Sequence, residues 1–348
     1  MKERKTLWMR YVDFERVKDI LHLIYQTDGK LRAGVLEQLS VKKGILVKKE
    51  NGSPFSHSAL YHYRKVMEGL CLVEARQKFY FVSKEERVKE LIRLTNFKQE
   101  MSSEAKEVLR ELIINNSDCR KFFFDVFMEE NNYTLEDFRK KGKHVIVETK
   151  SLRESLEEER VQSEKTEKRG GIRDKKQAGI IIIKNPSSGR ELELKTQDEI
   201  HAIYWGIRLW SLELGITDEF LTSFKEGRII YPVNPCFSDK DLMRVLLTKI
   251  KEDQSPSEWV LLHIPTLIKE IALAQRISVD EIKKFIHKLM RLKPDYVMLI
   301  PSSTMFIEIK TPFKMQDKII LKSYLNQEGV GYISHLRVNK RILEEIQL

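Results

Sequence analysis

The chain has 348 residues, 41% hydrophobic and 33% charged, which is enough to bury two or three cores and too apolar for a disordered tail. No stretch approaches the ~20 apolar residues of a membrane helix, and no apolar run of the secretory kind follows Met1-Lys2-Glu3-Arg4-Lys5. There is no glycine-rich phosphate loop, and Cys71, Cys119 and Cys236 are too scattered for a metal knuckle, so the expectation is a cytoplasmic protein with reduced thiols and no resident cofactor.

The net charge of +10 is unevenly spread. Residues 1–95 hold 20 Lys and Arg against 12 Asp and Glu, residues 96–238 hold 24 against 26, and residues 239–348 hold 18 against 14. The basic surplus therefore sits on the first segment, the distribution expected of a part that meets a polyanion.

That first segment opens with Phe14, Val17, Ile20, Leu21 and Ile24 at helical spacing, closed by Thr27-Asp28-Gly29. Lys30-Leu31-Arg32 is the length of a short strand, and Val35, Leu36, Leu39 and Val41 mark a second helix. A long link over 45–55 carries Lys48, Lys49 and Asn51-Gly52 and reads as an exposed basic loop. A third helix opens near Ser56 or Ser58, with Leu60, Tyr63, Met67 and Leu70 inward, and Tyr61, His62 and Lys65 outward with Arg64 beside them. Leu70-Cys71-Leu72-Val73-Glu74 and Lys78-Phe79-Tyr80-Phe81-Val82 then make a hairpin about Ala75 to Gln77.

Helix, short strand, helix, helix, hairpin is an order that resembles the winged helix-turn-helix superfamily, over roughly the first quarter of the chain; the long link at 45–55 departs from its usual tight turn. The resemblance implies a third helix that reads the major groove and a hairpin that touches the adjacent backbone. On that reading the DNA-binding residues are Ser56, His57, Ser58, Tyr61, His62, Arg64 and Lys65 on the helix, Arg76 and Lys78 on the hairpin, and Lys48 and Lys49 on the link. His57 and His62 are surface groups near a polyanion.

Further along, helices are expected over 85–97, 103–114 and 121–128, the last with Phe122, Phe123, Phe124 and Phe127 clustered as core or as a partner groove. Residues 150–176 are charged at 16 of 27 positions and suit a solvated helix or a flexible linker, with first proteolysis expected between Arg160 and Lys176. Gly179 to Lys184 and Arg190 to Leu194 form a hairpin about Asn185-Pro186-Ser187-Ser188-Gly189, and an apolar helix runs from Thr196 or Gln197 to Leu214. Tyr231-Pro232-Val233-Asn234-Pro235 reads as a boundary.

From Ser238 the same element order returns. Leu242, Val245, Leu246 and Ile250 mark one helix, Trp259 to Ile264 a strand, and Leu267, Ile268, Ile271 and Ala272 a second helix. A third, opened by Ser278-Val279-Asp280-Glu281, carries Ile282, Phe285, Ile286 and Leu289 inward. Strands over 296–300 and 305–309 would be its hairpin. Lys284, His287, Lys288 and Arg291 give this third helix a basic side for DNA, while Asp280 and Glu281 in its first turn favour a protein partner.

A second, local resemblance competes over the last of these strands. Pro294-Asp295 and Glu308-Ile309-Lys310, followed by a helix and Gly329 to Ile333, look like the end of a PD-(D/E)xK nuclease of the virus-type repair kind. That resemblance implies Mg²⁺ held by Asp295 and Glu308, with Lys310 activating water.

The sequence therefore predicts an α+β protein with two winged-helix modules, 1–95 and 238–348, the second with a C-terminal extension. They flank a mixed middle: a helical segment at 96–149, the charged linker at 150–176 and a hairpin-plus-helix region at 177–237. The expected role is DNA binding, as a regulator or as the recognition subunit of a processing or defence assembly. A metal-dependent nuclease and a protein-docking scaffold are the alternatives. DNA is the expected partner, with protein subunits at the second module and a homo-oligomer compatible with the chain; no membrane is involved.

Overall fold

The structure is a computed structural model that describes residues 7–48, 51–150, 179–221, 227–301, 322, 324–327 and 331–345. It is an α+β protein, and the described residues hold three small antiparallel sheets.

The first sheet belongs to the N-terminal module. Helix α1 (Phe14–Tyr25) starts at Asp13, whose carboxylate accepts from the Glu15 amide, and buries Phe14, Val17, Ile20, Leu21 and Ile24. Strand β1 (Lys30–Arg32), helix α2 (Ala33–Lys42), helix α3 (His57–Gly69) and strands β2 (Val73–Arg76) and β3 (Phe79–Val82) follow, with sheet order β1-β3-β2. The link between α2 and α3 is ordered at both ends of its turn: Val47 bridges Pro54, and the Asn51 side chain accepts from the Ser53 amide at 3.0 Å. Helix α4 (Glu86–Arg93) closes the module against α1.

Helices α5 (Ser103–Asn115), α6 (Ser117–Phe122) and α7 (Leu135–Lys141) extend the same core. The helix expected over 121–128 is instead the end of α6, a break at Phe123 and a 3-10 turn, Phe124–Phe127. The break lets Phe123, Phe124 and Phe127, all fully buried, meet edge-on around one another and Phe138. This settles the cluster as core.

The middle sheet has order β6-β5-β4-β8-β7, from β4 (Val145–Lys150), β5 (Ile180–Lys184), β6 (Glu191–Leu194), β7 (Thr217–Phe220) and β8 (Arg228–Pro232). The expected charged linker, of which all but Lys150 lies outside the described residues, joins β4 to β5. Those strands pair directly, Ile146 with Lys184 through Lys150 with Ile180. The segment thus spans one hairpin rather than separating two bodies, and a boundary there would divide a sheet. Likewise Tyr231 and Pro232 lie in a strand next to the sheet centre, not at a domain edge.

Gln197–Glu199, Ile200–Ile207 and Arg208–Glu213 run on as one helix, α8, whose middle stretch is π-type. It packs Ile203, Ile207 and Trp210 into the N-terminal core, where Trp210 meets Phe14 edge-on at 5.6 Å. Period-2 alternation then makes the sheet a partition. Val145, Val147, Ile183 and Ile230 face the N-terminal core, and Ile229, Tyr231 and Phe220 face the C-terminal one.

That second core comprises α9 (Asp239–Glu252), β9 (Trp259–His263), α10 (Ile264–Gln275), α11 (Val279–Leu292), β10 (Val297–Pro301), β11 (Leu325–Gln327) and β12 (Gly331–Asn339). Strand β12 is central: it pairs with β10 on one side and with β11 and β9 on the other. Among the described residues β10 pairs with β12; the strand expected over 305–309 lies outside them. Strand β9 joins the sheet as expected, but through β12. Neither β9 nor β10 is joined to β12 by a short loop, so no local turn signal marks either pairing.

Candidate nucleic-acid interface

Helix α3 begins at Ser56, whose hydroxyl accepts from the Ala59 amide at 3.4 Å and lies 3.1 Å from the Ser58 hydroxyl. Leu60, Tyr63, Val66 and Met67 are buried, which turns His57, Ser58 and Tyr61 outward. Tyr61 is 44% exposed, and its ring centroid lies 5.9 Å from the Arg64 guanidinium and 5.7 Å from the Lys65 ammonium. The helix and the hairpin form one unit: burial and the neighbouring Glu68 push the Tyr80 hydroxyl of β3 up to about 12.

The expected cations fall into two groups. Arg64 pairs with Glu37 of α2 at 2.8 Å, Lys65 with Glu68 at 2.7 Å, and Arg76 with Glu74. Lys48 and Lys78 are exposed and have no ion-pair partner among the described residues; Lys78 sits at the hairpin turn with φ +70°. Lys49 lies outside the described residues. His57 is exposed, its Nδ1 4.0 Å from Glu37. His62 turns away from this group: it is half-buried, and burial together with Arg10 holds its pKa below the usual histidine value.

Four residues of the module were missed: Lys30, Arg32, Phe79 and Phe81. Phe79 and Phe81 alternate with inward Tyr80 on β3, and Lys30 pairs with Phe81 across the sheet. The sequence signal for this face is the period-2 alternation of Phe79, Tyr80 and Phe81.

In the second module, the third helix is committed at its N-terminus. The Val279 amide donates to the Asp218 carboxylate of β7 at 2.8 Å, and Val279 itself is fully buried. Asp280 beside it is exposed, so the first turn of α11 has one side on the sheet and one side in solvent. Lys284 pairs with Glu281 at 2.6 Å and Lys288 with Asp239; Arg291 is exposed, and burial, then Arg291 and Lys283, hold the His287 pKa down.

Asp295 is exposed in the turn before β10, while Glu308 and Lys310 lie outside the described residues. Among the described residues no three His, Cys, Asp or Glu side chains are grouped to hold a metal. Cys119 is buried, and Cys71 and Cys236 are exposed. No described helix is long and apolar enough to cross a membrane.

A buried polar cluster on β7 has no counterpart among the residues singled out from the sequence. Thr217-Asp218-Glu219-Phe220 is buried throughout, and successive carboxylates point to opposite sides of the sheet. Glu219 accepts from Arg208 of α8 at 2.5 Å, with Arg228 at 3.5 Å. Asp218 accepts from Val279 and from Lys322, with the Tyr231 hydroxyl 3.4 Å away. Every charge here is answered by another protein group, the arrangement of a structural joint.

No protein-family model, curated protein or solved structure matches the chain.

Proposed function

We propose that this protein binds duplex DNA through its N-terminal module, with α3 in the major groove and the β2–β3 hairpin on the neighbouring backbone. The observation that carries this reading is the state of the first two turns of α3. His57, Ser58 and Tyr61 are open to solvent, and the same module carries exposed Lys48 and Lys78, whose charges no described carboxylate neutralises. The N-terminal part of such a helix is the part that reaches base edges, and cations free of carboxylates are the ones that release counterions from phosphate. The surplus of 20 basic over 12 acidic residues in 1–95 supports the same assignment. The second module serves to dock: the tie of the Val279 amide at the start of α11 to Asp218 of β7 favours a role as an internal support over a second reader.

The test is fluorescence anisotropy with a labelled blunt duplex across a salt series. Tyr61→Ala with Lys65→Ala is expected to weaken binding by about 1–3 kcal/mol if the helix reads bases. Lys48→Gln with Lys78→Gln is expected to flatten the log–log salt slope by about 2, roughly one unit for each phosphate no longer neutralised. Absence of duplex binding at low salt, or unchanged affinity in the first variant, overturns the reading.

A further inference from the structure

The outer face of the N-terminal sheet has a composition that the duplex reading does not use. Strand β3 turns Tyr80 inward and Phe79 and Phe81 outward, where both remain partly exposed, with ring centroids 6.5 Å apart. The register sets Arg32 and Arg76 on either side of Phe79, and Lys30 and Glu74 on either side of Phe81. The Lys30 ammonium lies 4.4 Å from the Phe79 centroid and 5.4 Å from that of Phe81, and the Arg76 guanidinium is 5.9 Å from Phe81. Arg76 takes up Glu74, the only carboxylate among these six residues, so the face keeps an excess of cations around two open rings.

We infer that this face is a second nucleic-acid surface, a platform on which two bases of an unpaired strand stack on Phe79 and Phe81 while Lys30 and Arg32 meet the flanking phosphates. Aromatic faces set among cations match the alternating chemistry of a single strand, whose bases offer π-faces and whose backbone offers charge. In a duplex the bases are already stacked and cannot lie on a sheet, so the ligand class is single-stranded. A cleft of about 1120 Å³ continues from Phe81 to Tyr25, which is 56% exposed and offers a third ring along the strand's path. The cleft's Arg76, Lys84, Lys89 and Arg93 are matched in number by Asp28, Glu74, Glu86 and Glu90, so the phosphate contacts belong to the sheet face and not to the cleft. This surface lies on the opposite side of the sheet from Tyr80 and α3, and its assignment does not rest on the duplex reading.

The test uses the full chain, a labelled oligothymidylate of about 12 nucleotides and, separately, a blunt duplex. Phe79→Leu with Phe81→Leu keeps apolar volume on the strand and removes both π-faces. The expected result is at least about a tenfold loss of oligothymidylate affinity with duplex affinity unchanged. Lys30→Gln with Arg32→Gln changes only exposed positions, so folding is not at issue. It is expected to lower the salt slope for the oligonucleotide by about 1.4, the share of two single-strand phosphates. The inference is overturned if oligothymidylate does not bind, if the leucine variant binds it like the parent, or if a polyglutamate peptide competes as well as the oligonucleotide. Failure of duplex binding alone sinks the duplex proposal and leaves this one standing.

Discussion

The Asp218 carboxylate, carried by a buried strand of the middle sheet, accepts a 2.8 Å hydrogen bond from the Val279 amide at the start of the third helix of the C-terminal module. A negative group at that position answers both an orphan amide and the positive end of the helix dipole. The same oxygen pair takes up Lys322, and the Tyr231 hydroxyl, 3.4 Å away, gives its proton to the Ile277 carbonyl at 2.8 Å. One side chain thus fixes how the second module sits on the sheet.

Asp218→Ala is expected to destabilise the protein by about 2–3 kcal/mol, because a buried amide and a lysine lose their partner together. Urea unfolding followed by circular dichroism measures this. An unshifted midpoint would show that Ser278, the side-chain cap of the same helix, suffices.

Arg64 and Lys65 are neighbours with different expected phenotypes. Arg64 is a tie between α2 and α3 through Glu37, whereas Lys65 pairs only within its own helix, with Glu68. Arg64→Ala is expected to lower stability by about 1–2 kcal/mol by leaving Glu37 without its charge partner. Lys65→Ala is expected to leave stability within about 0.5 kcal/mol. Thermal unfolding of the two single variants separates these roles; equal melting temperatures would remove the tie.

Glu107 joins α5 to α7. It receives Arg139 through two bonds of 2.6 and 2.8 Å and Arg110 through one of 2.8 Å. The Arg139 hydrogen bonds, opposed by burial and helped by Arg110, hold its carboxyl down from 4.5 to about 2. A depressed carboxylate contributes stability that is complete above its unfolded value and fades as the pH falls through its folded one. The contribution is therefore present above about pH 4.5 and lost between there and about pH 2. With the group about one-third exposed, roughly 1 kcal/mol is at stake after screening. Glu107→Gln should remove this part, so that the stability gap between parent and variant is widest near neutrality and narrows below pH 4.5. A gap that stays constant from about pH 7 to about pH 3 would contradict the assignment.

A specific protease site introduced after Arg160 tests the hairpin connection between β4 and β5. Cutting there is expected to leave one particle on size exclusion, because the two fragments share the ladder from Ile146–Lys184 to Lys150–Ile180 and the core on both sides of the sheet. Separation of the fragments without denaturant would restore the two-body picture.

What the sequence determined by itself is the local part. The spacing of Phe14, Val17, Ile20, Leu21 and Ile24, or of Leu60, Tyr63 and Met67, specifies a helix and its buried face, and these positions are buried. The Ser238 and Ser278 caps and the Asn185 turn are equally local, because the groups that satisfy them lie within a few residues. The α+β class follows from such elements alone. Tertiary structure decided the rest. Strand β12 pairs with β9 and β10 because backbone hydrogen bonds run sideways to strands far away along the chain, and no periodicity encodes that choice. Asp218 and Glu219 look like solvent-exposed residues until Val279, Lys322 and Arg208 arrive from other elements to offset the cost of burying them. Arg64 is an unpartnered cation in the sequence until the packing of α2 on α3 brings Glu37 beside it. A side chain's chemistry is written in the sequence, but the partner that decides its role comes only with the fold.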